Sequence, residues 1–91
     1  PTASLDLGAR ERLLAMLSGF ATSPYSPAMV MVTHHVEEIP QGFTHVLMLN
    51  DGQVVAAGPI ADTLNASNLQ ATFGMEFDLV EQDGRYHARA V

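Results

Sequence analysis

The sequence predicts a small α/β domain, and three observations lead to that class. Apolar residues recur at three- and four-residue steps from Ala9 to Phe20, which places them on one face of a helix. Ala28–Val32 is a continuous apolar run, typical of a strand buried on both faces of a sheet. Asp51-Gly52 and Asp83-Gly84 each separate two strand-like segments and predict β-hairpins, because these tight turns need positive φ.

The N-terminal half of the chain supplies the helix and the buried strand. Asp6 is a plausible N-cap, since its carboxylate can accept backbone N–H groups of the first turn. The helix is predicted to end near Gly19, and a Ser-, Thr- and Pro-rich loop covers Thr22–Pro27. After the strand, Val36–Ile39 is predicted to form one helical turn that Pro40 stops.

The C-terminal half is predicted to alternate hairpins with short helices. Pro59 suits the first turn of a helix that runs to about Leu64, and Ser67 is the expected cap of another that ends at Phe73. The predicted strands are Thr44–Leu49, Gln53–Ala57, Met75–Glu81 and Tyr86–Arg89. A strand buried on both faces needs neighbours on both sides, so we expect further sheet to be supplied from the N-terminal side.

Composition excludes several classes of function. The 91 residues are 47% hydrophobic and carry a formal net charge of −6. The four basic residues cannot neutralise a row of phosphates, which argues against binding nucleic acid or an anionic membrane surface. The absence of cysteine removes disulfides, thiolate catalysis and Cys-based zinc sites.

His34 is the principal candidate for chemistry. It directly follows the predicted buried strand, and open α/β sheets place their ligands at the carboxyl ends of strands. An imidazole there can donate an N–H to an oxyanion while a neighbour holds its other nitrogen. The alternative is an ordinary histidine in a strand-to-helix turn, satisfied by the backbone. Position alone favours this alternative.

A metal site is a further alternative at the same place. His34, His35, Glu37 and Glu38 are all potential ligands. Adjacent residues rarely point at one ion, and zinc on a helix favours i, i+4 spacing. We therefore predict no metal site.

The chain begins Pro1-Thr2-Ala3-Ser4-Leu5-Asp6, continues with a helix, and reaches an apolar strand that ends in Val32-Thr33-His34. This order of motifs resembles the second half of ABC-transporter ATP-binding domains. In that family the Walker B strand is followed by Pro-Thr and a D-loop, which match Pro1-Thr2 and Ala3-Ser4-Leu5-Asp6. The switch-histidine motif Val-Thr-His matches Val32-Thr33-His34. The family usually has Asp after that histidine, where this chain has His35. The resemblance is good from Pro1 to Gly58 and weak beyond.

The resemblance implies a fold and a site. The fold would be a partial P-loop-NTPase-like layer, a parallel strand with helices, followed by C-terminal hairpins and short helices. The whole chain, 1–91, would be a single partial domain: 1–58 the D-loop and switch-histidine segment, and 59–91 a C-terminal extension. His34 would be the catalytic residue that contacts the γ-phosphate, and Ser4, Leu5 and Asp6 would form the nucleotide-site loop that meets the opposing subunit.

The resemblance also implies cofactors and partners. ATP and Mg²⁺ belong to the complete domain, and none is expected for this chain alone, because it lacks the phosphate-binding loop, the Walker B carboxylates and the signature motif. The expected partners are the N-terminal half of the domain, a second ATPase subunit and a membrane permease, at the cytoplasmic face of the membrane. The stretch from Thr33 to Pro40 is similar to the corresponding stretch in a branch of the family that imports metal chelates or oxyanions such as molybdate.

A function of another class remains open from the sequence. The edge of an incomplete sheet could pair with a second copy or with a separate partner, making the chain a non-catalytic interaction module.

Overall fold

The computed structural model describes residues 6–91, which form helices and antiparallel hairpins. The helices are α1 (Leu7–Ala21), α2 (Ile60–Thr63) and α3 (Ala66–Phe73), with a 3₁₀ turn at Val36–Glu38. The strands are β1 (His45–Asn50), β2 (Gln53–Pro59), β3 (Phe77–Gln82) and β4 (Arg85–Ala90). Within residues 6–91, β1 pairs with β2 and β3 with β4. The predicted α/β class with C-terminal hairpins is confirmed.

The chain divides into two compact units. Unit 1 runs up to Phe43 and includes Glu81–Tyr86, and unit 2 comprises Thr44–Val80 and His87–Val91. In unit 1, Leu14 of α1 is almost fully buried. In unit 2, α3 packs against β1 and β2. The buried apolar side chains of unit 2 are Met48, Ile60, Leu64 and Leu69.

Helix α1 begins as predicted and ends two residues later than expected. Asp6 is its N-cap, with the carboxylate accepting the Ala9 N–H at 2.7 Å. At the other end the Thr22 hydroxyl and backbone N–H both donate to the Ser18 carbonyl, at 2.9 and 3.1 Å. These bonds satisfy an otherwise orphaned carbonyl, so the helix continues past Gly19 to Ala21.

The strand predicted at Ala28–Val32 does not form in this chain. The segment has no ladder partner among residues 6–91, because the four described strands all pair within hairpins. Burial on both faces was also expected, but the Val30 and Val32 side chains are 92% and 76% exposed. A parallel strand needs neighbours that carry its hydrogen bonds and cover its faces, and the described residues supply none.

Both hairpins turn at the predicted dipeptides. Asp51 and Gly52 have φ of 54° and 74°, and Asp83 and Gly84 have φ of 53° and 78°. Positive φ at both central residues is the geometry of a type I′ turn, whose twist matches that of the flanking strands. The register of β1 and β2 shifts at Met48/Leu49, a bulge that the sequence pattern did not predict.

The two short helices follow the predicted order with a different cap. Helix α3 begins at Ala66 because Asn65, rather than the expected Ser67, accepts the Asn68 N–H at 2.8 Å. It ends as predicted, where Gly74 adopts φ of 78°. Gly58 is required before α2, since its φ is 150° and a Cβ there would lie 2.9 Å from the Thr63 hydroxyl oxygen.

Leu69→Ala is expected to lower the free energy of unfolding by about 2–4 kcal/mol, because truncating a side chain that is 2% exposed leaves a cavity in unit 2. Leu49→Ala is the control, since Leu49 is 53% exposed. Urea unfolding followed by circular dichroism measures both variants. Equal losses in the two would contradict the assignment of Leu69 to the core.

Candidate functional site

Asp6 is the first residue of the candidate D-loop that can be located. Ser4 and Leu5, the other two predicted residues of this loop, lie outside the described part of the chain. The Asp6 side chain is exposed at the start of α1 and is engaged as the helix cap. Its visible role is therefore to fix where α1 begins, directly after the candidate loop.

His34 lies in the connection between the apolar run and the 3₁₀ turn. It is exposed, and its imidazole makes no hydrogen bond or ion pair with the other residues between 6 and 91. Its two neighbours are held instead. The Thr33 hydroxyl donates to the carboxylate of Glu38 and accepts the His35 N–H at 3.1 Å. The backbone on both sides of His34 is thus fixed while the ring is presented to solvent.

Glu38 is the buried polar residue behind this turn. Glu38 is only 5% exposed, and a buried carboxylate destabilises the fold unless it is hydrogen-bonded. The Glu38 N–H donates to the His35 carbonyl at 3.0 Å, which closes the 3₁₀ turn after the histidine pair. Within this turn, the family resemblance pointed only to His34. A buried carboxylate opposite a threonine five residues earlier is a contact that no sequence motif had singled out.

Arg85, from the tip of the β3–β4 hairpin, contacts two other segments of unit 1. Its Nη1 and Nη2 donate to the two carboxylate oxygens of Glu11 in α1, at 2.8 and 3.1 Å. Nη2 also donates to the backbone carbonyl of Glu37, at 2.8 Å. The partners lie 74 and 48 positions apart in sequence, and no local pattern connects them. Sequence reasoning missed this contact for that reason.

The ion pair shifts both titrations. The hydrogen bonds from Arg85 hold the pKa of Glu11 below its usual value, against a smaller opposing effect of partial burial. The positive charges of Arg85 and Arg10 act in the same direction as those hydrogen bonds. The same hydrogen bonds raise the pKa of Arg85. Both side chains are partly exposed, at 42% for Glu11 and 30% for Arg85, so solvent screens much of the attraction.

A small cavity lies beside this ion pair in unit 1. Its volume is about 90 Å³, against roughly 300–1,000 Å³ for a typical small-molecule pocket, so it does not accommodate a nucleotide. Its lining residues are Glu11, Leu14, Ala15, Ser18, Pro40, Gln41 and Arg85.

Among residues 6–91, no three histidine, aspartate or glutamate side chains are grouped so that they could hold a metal ion. Over the same residues, every helix is too short or too polar to cross a lipid bilayer.

Asp6→Ala is expected to destabilise the chain by about 1 kcal/mol, because the first turn of α1 loses the acceptor for the Ala9 N–H. Asp6→Asn keeps an acceptor oxygen at the same place and should retain most of the stability. Urea unfolding compares the two. A loss as large in the asparagine variant as in the alanine variant would show that the cap is not the source of the effect.

The Glu11–Arg85 pair should make stability depend on acidity. The pKa of Glu11 is lower in the folded state than in the unfolded state, where it is near 4.5. Ionised Glu11 therefore stabilises the folded chain above the unfolded-state pKa, and this stabilisation is lost as the pH falls through the folded-state pKa. Wild type should exceed Glu11→Gln by about 0.2–1 kcal/mol near neutral pH, with the difference disappearing in acid. Thermal unfolding between neutral and acidic pH measures it, with exposed Glu76→Gln as control. A difference independent of pH would contradict the pairing.

The chain is similar in sequence to ABC transporter ATP-binding proteins. No family model matches the chain. An ABC transporter ATP-binding protein of Streptococcus mutans is 34% identical over 92% of this chain and 32% of its own length. One from Bacillus subtilis is 35% identical over 99% of this chain and 34% of its own. A molybdenum import ATP-binding protein of Shewanella oneidensis is 36% identical over 77% of this chain and 19% of its own.

These matches run through most of the chain rather than through one motif. The chain spans about a third of the length of the Streptococcus and Bacillus proteins. By this similarity, the chain belongs to the family of ABC transporter ATP-binding proteins and corresponds to part of their ATPase domain.

Proposed function

We propose that this chain supplies the switch histidine and the D-loop of an ABC transporter ATPase, and that it does not hydrolyse ATP without the remainder of the domain. The observation that carries this proposal is the similarity to a family member over 99% of the chain. The switch motif Val32-Thr33-His34 lies within that match. The phosphate-binding loop and the Walker B carboxylates are assigned to the remainder.

His34 is the proposed catalytic residue. Phosphoryl transfer depends on positioned donors around the charge that develops on the γ-phosphate and the attacking water. An imidazole N–H can donate one hydrogen bond to a phosphate oxygen. Two features support this role: the ring is exposed, and the bonds of Thr33 to Glu38 and His35 hold the backbone around it.

The segment Ser4–Asp6 is the proposed D-loop, which meets the opposing ATPase subunit. Support comes from its place directly before α1, which Asp6 caps. The helix cap fixes where the loop joins α1, and a fixed attachment suits a loop that couples two nucleotide sites. We assign ATP and Mg²⁺ to the complete domain and expect neither to bind this chain alone.

In the complete domain we expect Ala28–Val32 to become a strand of a parallel, P-loop-NTPase-like sheet. The side chains of Val30 and Val32 are largely exposed in this chain, and burying both would contribute about 1.5–3 kcal/mol each. The remaining N-terminal half of the domain is the proposed partner on this segment. Residues 1–58 then belong to the ATPase layer, and 59–91 form a C-terminal extension of the same partial domain.

The proposed setting is the cytoplasmic face of a membrane, with a second ATPase subunit and a permease as further partners. Molybdenum import is what the name of the Shewanella relative specifies for that protein. For this chain we propose no particular cargo. An ATP-binding subunit acts on nucleotide, and the permease selects the cargo.

Self-association is the second candidate function, and the exposure of Val30 and Val32 favours it specifically. Two copies could pair along this segment and bury the valines of both. Sedimentation equilibrium without nucleotide distinguishes the candidates. A mass that rises with concentration and falls in a Val30→Thr, Val32→Thr variant supports association, and a constant monomer mass removes it.

The ATPase proposal predicts a sharp contrast between the chain alone and a completed domain. Calorimetric titration of the 91-residue chain with Mg·ATP should show no binding, and phosphate release should be at background. The completed domain is a chimaera in which this chain replaces the aligned segment of the Bacillus subtilis relative. This chimaera should hydrolyse ATP, and His34→Ala should lower its kcat by roughly 100-fold or more, as expected for loss of a transition-state donor.

His87→Ala is the matched control for that experiment, since His87 is also exposed but lies on β4, outside the switch motif. Its kcat should equal that of the unmodified chimaera. Turnover by the chain alone, or full activity of the His34→Ala chimaera, would overturn the proposal.

A further inference from the structure

The tip of the β3–β4 hairpin contacts the turn that follows His34. Arg85 donates through Nη2 to the Glu37 carbonyl at 2.8 Å, and Glu37 is the middle residue of the 3₁₀ turn. The same guanidinium donates to both carboxylate oxygens of Glu11. One side chain from the C-terminal extension therefore joins α1 to the turn beside the switch histidine.

The contact at Glu37 is continuous with the bonds around His34. Glu38 follows Glu37 directly, and its carboxylate accepts the Thr33 hydroxyl. Thr33 in turn precedes His34 and accepts the His35 N–H. Hydrogen bonds thus engage Thr33, directly before His34, and Glu37, three residues after it.

We propose that Arg85 is a positioning residue that fixes the His34 turn against α1, the helix that begins at the candidate D-loop. The inference rests on the proposed role of His34. It assigns a task to a residue in 59–91, beyond the D-loop and switch-histidine motifs. Arg85 acts through the Glu37 carbonyl and does not contact nucleotide itself.

The geometry calls for arginine in particular. A planar guanidinium can place two parallel N–H groups on a carboxylate and still direct the second N–H of Nη2 at another acceptor. Arg85 uses its Nη atoms in this way, with distances of 2.8 and 3.1 Å to Glu11 and 2.8 Å to Glu37. Lysine has one nitrogen and cannot reproduce the paired bonds, so Arg85→Lys keeps the charge but not the three contacts.

Amide hydrogen exchange of the 91-residue chain tests the local claim without ATPase activity. The probes are the Glu38 and Ile39 N–H groups, which donate to His35 and Val36 within the turn. Arg85→Met should speed their exchange by roughly tenfold or more, since a charge-assisted bond to the turn is lost. Arg89→Met is the matched control, because Arg89 lies on the same strand, is 84% exposed and should leave exchange unchanged.

Arg85→Lys keeps the test decisive if the methionine variant loses its fold. It should preserve the exchange protection of α1, measured at Leu14, while the two turn amides exchange at least about threefold faster. Turn amides within twofold of wild type in every folded Arg85 variant would overturn the inference.

Steady-state hydrolysis by the chimaera separates failure of this inference from failure of the proposed function. Arg85→Met should lower kcat by roughly tenfold with the KM for ATP unchanged. A displaced His34 imidazole would stabilise the transition state less without changing the binding of ATP. A normal kcat in Arg85→Met, alongside a large loss in His34→Ala, would overturn the role of Arg85 and leave the proposed function standing. A normal kcat in His34→Ala would overturn the proposed function itself.

Discussion

The guanidinium of Arg85 is the polar contact that links three segments of unit 1. It satisfies a carboxylate on α1 and a backbone carbonyl in the 3₁₀ turn, so three segments far apart in sequence meet at one side chain. Unit 1 has little apolar core, with Leu14 as its almost fully buried hydrophobic residue among those described. Where so little apolar area is removed from water, directional polar contacts must specify which segments meet.

Unit 2 is organised by a different constraint. Its hairpin and two short helices enclose a compact apolar cluster that includes Met48 and Leu69. Isolated two-stranded hairpins are marginal in water, so β1 and β2 depend on the helix packed against them. The Asn50 amide also donates to the Ala71 carbonyl at 3.3 Å, which ties the hairpin turn to α3. In unit 2, apolar packing determines which segments meet, as the polar contacts of Arg85 do in unit 1.

The candidate site combines a free functional group with a held backbone. The imidazole of His34 is exposed, whereas Thr33 and Glu38 bond to each other behind it. An enzyme group that must meet a developing charge is most effective when its geometry is set before the reaction begins. The buried carboxylate of Glu38 contributes to this geometry by accepting the Thr33 hydroxyl. The side chains of Val30 and Val32, just before this site, are largely exposed, and the proposed N-terminal half of the domain would cover them.

The sequence alone determined the local features: the Asp6 cap, the two positive-φ turns at Asp51 and Asp83, and the helix end at Gly74. Each depends on residues within a few positions of one another, so side-chain chemistry and backbone sterics suffice. It also pointed to His34, through the resemblance to a family. Only the tertiary structure decided that Arg85 meets Glu11 and Glu37, and that Ala28–Val32 finds no strand partner among residues 6–91. Such outcomes depend on which distant groups are present to supply hydrogen bonds and cover apolar surface, and no local pattern encodes that.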